Sequence, residues 1–205
     1  MAYTTINKSS LHMNTKLYTG TGSTRSVTGV GFKPDFTWIK NRVKADSNHF
    51  LTDIVRGATK YLHSDADSSE TTNTNTLTSF DSDGFSLGDL DNVNRNNDTL
   101  VSWNWKAGGG QGSANTDGSI NTTYTSVNTT AGFSISSYTG SGANATVGHG
   151  LGVTPKVILV KVLSSTGNWK MHHTTQPAIT SLNLNTNASI ISTASVFNSM
   201  ATLNS

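Results

Sequence analysis

The chain has 205 residues, a formal net charge of +2 and only 13% charged residues, about half the share usual in soluble proteins. Its Lys and Arg residues are scattered, which excludes the basic footprint of a nucleic-acid or anionic-membrane binder. The absence of cysteine excludes disulfides and thiolate metal sites.

The segment from Met1 to Leu17 is polar and lacks the apolar core of a signal peptide, which predicts a product made in a cytoplasm and not exported by the standard route. No stretch is long and apolar enough for membrane insertion. Leu11, Met13 and Leu17 predict a first strand. Gly20, Gly22, Gly29 and Gly31 read as turn or bulge glycines rather than a phosphate loop, because no Gly-Lys-Ser/Thr follows and no helix is predicted to receive a phosphate. After Pro34, Phe36 and Trp38 alternate as in a strand. The run from Phe50 to Tyr61 is the one helix-like stretch, weakened by Gly57. Asp83-Gly84 marks a turn into Phe85-Ser86-Leu87. Val101, Trp103 and Trp105 share one strand face and Ser102, Asn104 and Lys106 the other; these tryptophans, with Trp38, are expected in the core. Gly108-Gly109-Gly110-Gln111-Gly112-Ser113 has the composition of a flexible linker, and Asn115-Thr116-Asp117-Gly118 that of a turn. Phe133 and Ile135 alternate in a further strand. Val157 to Leu163 is nearly continuous and apolar, as expected of a strand buried on both faces.

The chain also repeats itself. Tyr18-Thr19-Gly20-Thr21-Gly22 leads through Val27, Gly29 and Gly31 to Pro34 and a run ending at Ile39-Lys40. Tyr138-Thr139-Gly140-Ser141-Gly142 leads through Val147, Gly150 and Gly152 to Pro155 and a run ending at Val160-Lys161. The offset is 120 residues (Tyr18 to Tyr138), becoming 121 after one insertion near His149 (Pro34 to Pro155). A unit this long points to a duplicated domain rather than a solenoid. Abundant Thr, Ser, Asn and Gly favour turns and strand faces over helix interiors. The regularly placed aromatic and β-branched clusters set disorder aside.

The predicted fold is therefore all-β: two tandem antiparallel β-sandwich, jelly-roll-like domains related by internal duplication, the second incomplete. Residues 1–107 form the first unit, 108–126 a Gly/Ser/Thr/Asn-rich linker, and 127–205 the second unit. Phe80-Asp81-Ser82 is matched by Phe197-Asn198-Ser199, but the first unit continues to its tryptophan strand and the second is expected to lack that last strand. An open sandwich edge exposes unpaired backbone groups, so a homo-oligomer is expected to complete it.

No catalytic constellation emerges, and an enzyme is not predicted. No Gly-x-Ser-x-Gly elbow stands between a strand and a helix. Asp81/Asp83 and Asp89/Asp91 have the two-residue spacing of calcium loops, but the glycine and closing glutamate of the full pattern are missing, so turn capping is preferred. Asp65, Asp67 and Glu70 read as a solvated acidic loop. His172-His173 would point to opposite faces of a strand and could not chelate one ion together. No metal and no cofactor are predicted. Trp169 is the candidate glycan-binding residue: its counterpart in the first unit is His49 and its neighbours are polar, as in an exposed platform that stacks on a sugar.

Several motifs together resemble a known family. Val27-Thr28-Gly29-Val30-Gly31-Phe32-Lys33-Pro34-Asp35-Phe36-Thr37-Trp38-Ile39-Lys40, Asp53-Ile54-Val55-Arg56-Gly57, Asp83-Gly84-Phe85-Ser86-Leu87-Gly88 and Trp103-Asn104-Trp105-Lys106-Ala107-Gly108 resemble a domain of predicted structural proteins of marine tailed bacteriophages. Thr130-Ala131-Gly132-Phe133-Ser134-Ile135 and Val147-Gly148-His149-Gly150-Leu151-Gly152 are similar to a companion domain that follows it. Such proteins often carry lectin-like domains. The resemblance implies a virion component, typically a tail-fibre or other surface appendage, that assembles with other virion structural proteins and contributes to host attachment. A trimer is among the homo-oligomers it implies, and a host surface glycan among the partners. A capsid decoration protein and a carbohydrate-binding module are the alternatives. The resemblance transfers no catalytic residue.

Overall fold

The computed structural model describes residues 6–177 and 180–192. The fold is all-β and antiparallel, in several open sheets. In chain order the first half holds β1 (Met13–Thr19), β2 (Arg25–Thr28), β3 (Phe36–Asn41), β4 (Phe50–Asp53) and β5 (Lys60–Tyr61). There follow β6 (Thr71–Thr72), β7 (Leu77–Asp81), β8 (Gly84–Leu87), the single-turn helix α1 (Asp91–Asn94) and β9 (Thr99–Trp105). The second half holds β10 (Thr122–Asn128), β11 (Phe133–Tyr138), β12 (Val157–Val160), β13 (Lys170–His173), β14 (Thr180–Asn183) and β15 (Ile191–Ser192).

A four-stranded sheet in the order β1-β9-β3-β4 faces a three-stranded sheet in the order β2-β8-β7. Between them lie Tyr18, Val27, Ile39, Phe50, Leu77, Phe85, Leu87, Val93 and Leu100, all buried. This is a two-layer sandwich, in which each strand contributes alternate residues to a shared interior. Tyr18 is the one polar-tipped member of this core, and its hydroxyl donates to Val93 O at 2.8 Å. Burial pushes that phenol well above its ordinary range, so the donor role holds at any pH at which the fold survives.

The expected turn at Asp83-Gly84 forms the β7–β8 hairpin. Gly84 has φ +152°, and a Cβ there would lie 1.9 Å from Val27 O, so no larger residue fits against β2. The helix-like run from Phe50 to Tyr61 is not a helix. It is β4, a turn through Gly57 at φ +99°, and β5. Backbone pairing of β4 with β3 outweighs the local helical pattern, because Phe50 and Thr52 must face the sandwich interior while Leu51 faces the other way.

Two further expectations are corrected. The glycine-rich 108–126 segment is not a free linker. Ala107 N and Gly109 N donate to Asp35 Oδ2 at 2.6 and 2.9 Å, Gly108 N donates to Ser126 Oγ at 3.0 Å, and Gln111 Nε2 donates to Val55 O at 2.9 Å. Gly112, at φ +81°, lies where a Cβ would be 1.9 Å from Thr125 O, and Thr125 N donates to Ser113 O at 2.7 Å. β10 begins at Thr122, so folded structure of the second half starts before residue 127. The Val157 to Leu163 run is not a strand buried on both faces. Only Val157–Val160 is strand, and Val157 and Leu159 are 49% and 43% exposed. The Phe197-Asn198-Ser199 match lies outside the described residues.

The halves differ in one respect that bears on function. In the first, β9 lies between β1 and β3 and pairs with both along its length. In the second, β10 and β11 form a hairpin of their own, and β12-β13-β14-β15 form a separate sheet. Among the described residues no strand joins β11 to β12.

Candidate functional site

The outward face of the β1-β9-β3-β4 sheet carries the aromatic residues. Register places Phe36 opposite Trp105 and Trp38 opposite Trp103, with Leu51 beside Trp38 on β4. All lie on the face away from the sandwich core, because side chains alternate along each strand. Trp38, Trp103 and Trp105 are half-buried there, not in the core between the sheets, which corrects the expectation for them. The second half covers part of this face. Phe133 at the start of β11 sits 6.1 Å from the Phe36 ring and stacks on Trp105 at 6.3 Å and 24°.

Trp169 closes the same seam. It is only 7% exposed and clusters with buried Leu51 and Leu62, against Phe36, Trp38, Leu163 and Leu184. Its indole Nε1 donates to His63 O at 2.7 Å. A ring enclosed on both faces offers nothing for a sugar to stack on, so the exposed platform expected at Trp169 is corrected to a structural anchor between the halves. Polar sequence neighbours misled here because they face other directions: Asn168 takes a bond from Asn185, and Lys170 reaches Asn183.

His49 supports the seam from the first half. Its Nδ1 accepts the Trp38 Nε1 proton at 2.7 Å, which fixes the neutral tautomer with the proton on Nε2. Burial holds its pKa below the ordinary 6.5; Asp65 opposes the shift and Lys40 adds to it. His149 is also held below 6.5, by burial against a smaller opposing effect of Asp117. A folded-state pKa below the unfolded one gives stability that is full above the unfolded value and is lost as pH falls through the folded value. The melting temperature should therefore drop as pH is lowered from about 7 toward 5, within the histidine range. A His49→Gln variant, which can still accept from Trp38, should show a shallower drop in the same melts; an unchanged slope would remove His49 from this role.

At the other end of the second half, β12 has one edge unpaired among the described residues. It pairs with β13 through Val157 opposite His173 and Val160 opposite Lys170, and with no other strand among the described residues. Val153 and Val162, near its two ends, are also exposed. Unpaired N–H and C=O groups beside exposed apolar side chains make such an edge a template for another strand. Lys161, just beyond the strand, turns its ammonium to Asp67 O at 3.3 Å and to its neighbour Val162 O at 2.8 Å.

The remaining sequence candidates are dispersed. Asp83 accepts Gly31 N and Gly29 N at 2.6 and 2.9 Å, and these bonds hold its carboxyl below the ordinary range. Asp81 accepts the Ser79 and Ser86 hydroxyls at 2.8 and 2.7 Å. Both aspartates thus close turns and strand ends, the role preferred for them. Asp89 lies before α1 and Asp91 in its first turn. Glu70 belongs to a buried ion network with Arg56 rather than to a solvated loop, and Asp67 contributes its backbone carbonyl. His172 is buried with Nδ1 2.8 Å from Thr180 O, while His173 Nδ1 meets Thr175 Oγ1 at 2.8 Å, so the adjacent pair diverges. Among the described residues no three His, Asp or Glu side chains gather as a metal site, and no helix is long and apolar enough to cross a membrane.

One family model, described as Domain of unknown function (DUF7483), matches residues 8–205. No curated protein and no solved structure matches the chain.

Proposed function

We propose that this chain, which belongs to the DUF7483 family over nearly its whole length, is a structural component of a bacteriophage particle that works by assembly rather than catalysis. The virion assignment rests on the motifs quoted above, and a surface appendage is the form they favour. The open, apolar edge of β12 is the observation that carries the assembly reading. Its counterpart by sequence, β3, has the same edge filled by β9, with Trp38 opposite Trp103 and Lys40 opposite Val101.

Strand spacing supports an internal duplication behind this contrast. Met13 and Phe133, Phe50 and Lys170, Lys60 and Thr180, and Thr71 and Ile191 begin strands 120 residues apart in each pair. A second copy of the chain is the proposed occupant of the β12 edge. In an antiparallel twofold pairing the axis stands normal to the sheet, so opposed residues share a face; centred on Ile158, the pairing would set exposed Val157 against exposed Leu159 of the other copy and satisfy both edges at once.

Light scattering on the full chain should give an oligomer of discrete mass. Leu159→Lys, which places a charge on an already exposed position, should raise the dissociation constant at least tenfold (about 1.4 kcal/mol) while leaving the fold intact. A wild-type chain that stays monomeric at high micromolar concentration would sink the pairing, and a trimer would replace the twofold with a different edge.

A further inference from the structure

We propose that a cleft at the junction of the two halves binds a single pyranose ring of an uncharged carbohydrate. The cleft has a volume of about 220 Å³ and is lined by Arg56, Lys60, Glu70, Gln111, Thr123 and Tyr124, with Val55 and Leu163 as apolar wall. Ligand pockets for drug-sized molecules span about 300–1,000 Å³, so this one suits one ring rather than a chain of them.

Its polar groups are pre-set by buried chemistry. Arg56 donates through Nε to Asp53 Oδ2 at 2.5 Å, through one terminal nitrogen to Glu70 Oε2 at 3.1 Å, and through the other to Leu51 O at 2.9 Å. The guanidinium is thus committed to the protein and holds the Glu70 carboxylate in one orientation. Glu70 Oε1 faces the Lys60 ammonium across a longer 3.5 Å, and the Lys60 side chain is half-exposed. Both retain capacity for a hydroxyl between or beside them: the carboxylate accepts, the ammonium donates. Gln111 has its amide nitrogen anchored on Val55 O, which leaves its carbonyl oxygen available as an acceptor.

The fourth wall comes from an irregularity in β10. Pairing with β11 shifts register between Thr122 and Tyr124, so Thr123 is an inserted residue. Strict alternation would send Thr123 and Tyr124 to opposite faces; the bulge lets both line the cleft. Tyr124 is 36% exposed, and no hydrogen bond engages its hydroxyl among the described residues. An aromatic ring with a free hydroxyl, set beside convergent donors and acceptors, matches a ligand that has an apolar face and a rim of hydroxyls. The charged residues lining the cleft are Arg56, Lys60 and Glu70; Asp53, paired with Arg56 behind the wall, brings the balance to zero. That balance favours neither an anion nor a cation, and directs the assignment to a neutral sugar.

The test is a ¹H–¹⁵N NMR titration of the full chain with the methyl pyranosides of glucose, galactose and mannose. At least one should give saturable shifts confined to the amides around residues 55–60, 70, 111, 123–124 and 137, with Kd on the order of 1–10 mM. Tyr124→Ala, a change at an exposed ring, should weaken binding about tenfold with the rest of the spectrum preserved. Glu70→Gln should weaken it as well. Binding should be insensitive to salt, because no net charge is engaged. Sugar binding does not require β12 pairing, so Leu159→Lys should bind with unchanged Kd whether or not the oligomer reading survives. No saturable shift with any of the three sugars, shifts located elsewhere, or full affinity in Tyr124→Ala would each overturn the assignment. A strong salt dependence would overturn the uncharged ligand class.

Discussion

Trp169→Ala should lower the free energy of unfolding by about 3–5 kcal/mol, the range for removing a buried aromatic side chain. The ring fills the space between Leu51, Leu62, Leu163 and Leu184, with contributions from both halves of the chain. Its removal leaves a cavity and also strips His63 O of its indole donor. Trp169→Phe separates the two effects: it restores much of the volume but not the N–H, and should cost about 1–3 kcal/mol. Denaturant titration gives both numbers. Hydrogen exchange should localise the damage, with faster exchange in β12 and β13 and little change in the sandwich amides around Phe85 and Leu100, which belong to a separate buried cluster. The opposite outcome is equally clear. An exposed stacking residue would change stability by no more than about 0.5 kcal/mol, and that result would refute the seam.

Asp35→Ala should be the second severe substitution, at about 2–4 kcal/mol, because it orphans two buried or half-buried donors at once. Asp35 is fully buried, and its Oδ2 receives Ala107 N and Gly109 N. Those two bonds dock the chain as it leaves β9, ahead of the strand Thr122–Asn128. Asp35→Asn keeps an acceptor for both and should lose less. The pH dependence carries a definite sign. Burial raises the Asp35 carboxyl above its ordinary 3.8, against the lowering effects of Gly109 N, Ala107 N, Lys33 and Lys106. The other carboxyl oxygen is buried without a partner, consistent with that direction. A raised folded-state pKa means that this group's stabilisation is complete below the unfolded value and declines as pH rises through the folded one. The stability gap between the wild type and Asp35→Ala should therefore be widest near pH 4 (about the unfolded carboxylate value) and narrow as pH rises. A gap that widens with pH would show that the ionised carboxylate, held by its two N–H donors, is the favoured form.

Much of the strand content was legible from period-two patterns. Phe36 and Trp38, and Val101, Trp103 and Trp105, announced both their strands and their shared faces. Asp83-Gly84 announced its hairpin. These signals are local, because a strand's alternation and a turn's glycine are properties of a few adjacent residues. The candidate site was less accessible. The polar neighbours of Trp169 suggest exposure, yet the residues that enclose it, Leu51 and Leu62, lie more than a hundred positions earlier in the chain. The cleft residues come from the turn after β4, from β5, from the 108–113 run and from a bulged strand, and only folding gathers them. A signal for it did exist in Arg56, Lys60 and Glu70, whose opposite charges fall within one short span.

Composition also has a definite limit. The Gly108–Ser113 run is rich in the residue that permits any backbone conformation, and permissiveness reads as flexibility. In the folded chain the same freedom lets Gly109 and Gly112 adopt positive φ so that neighbouring amides reach Asp35 and β10. Likewise the apolar run at Val157 to Leu163 carried hydrophobicity without saying whether a neighbour would bury it. By itself the amino-acid order determined that the protein is built of short antiparallel strands, where they alternate and where they turn. The tertiary structure alone decided which faces are covered, which strand edges pair among the described residues and which charges meet, because burial and pairing depend on partners distant in the chain.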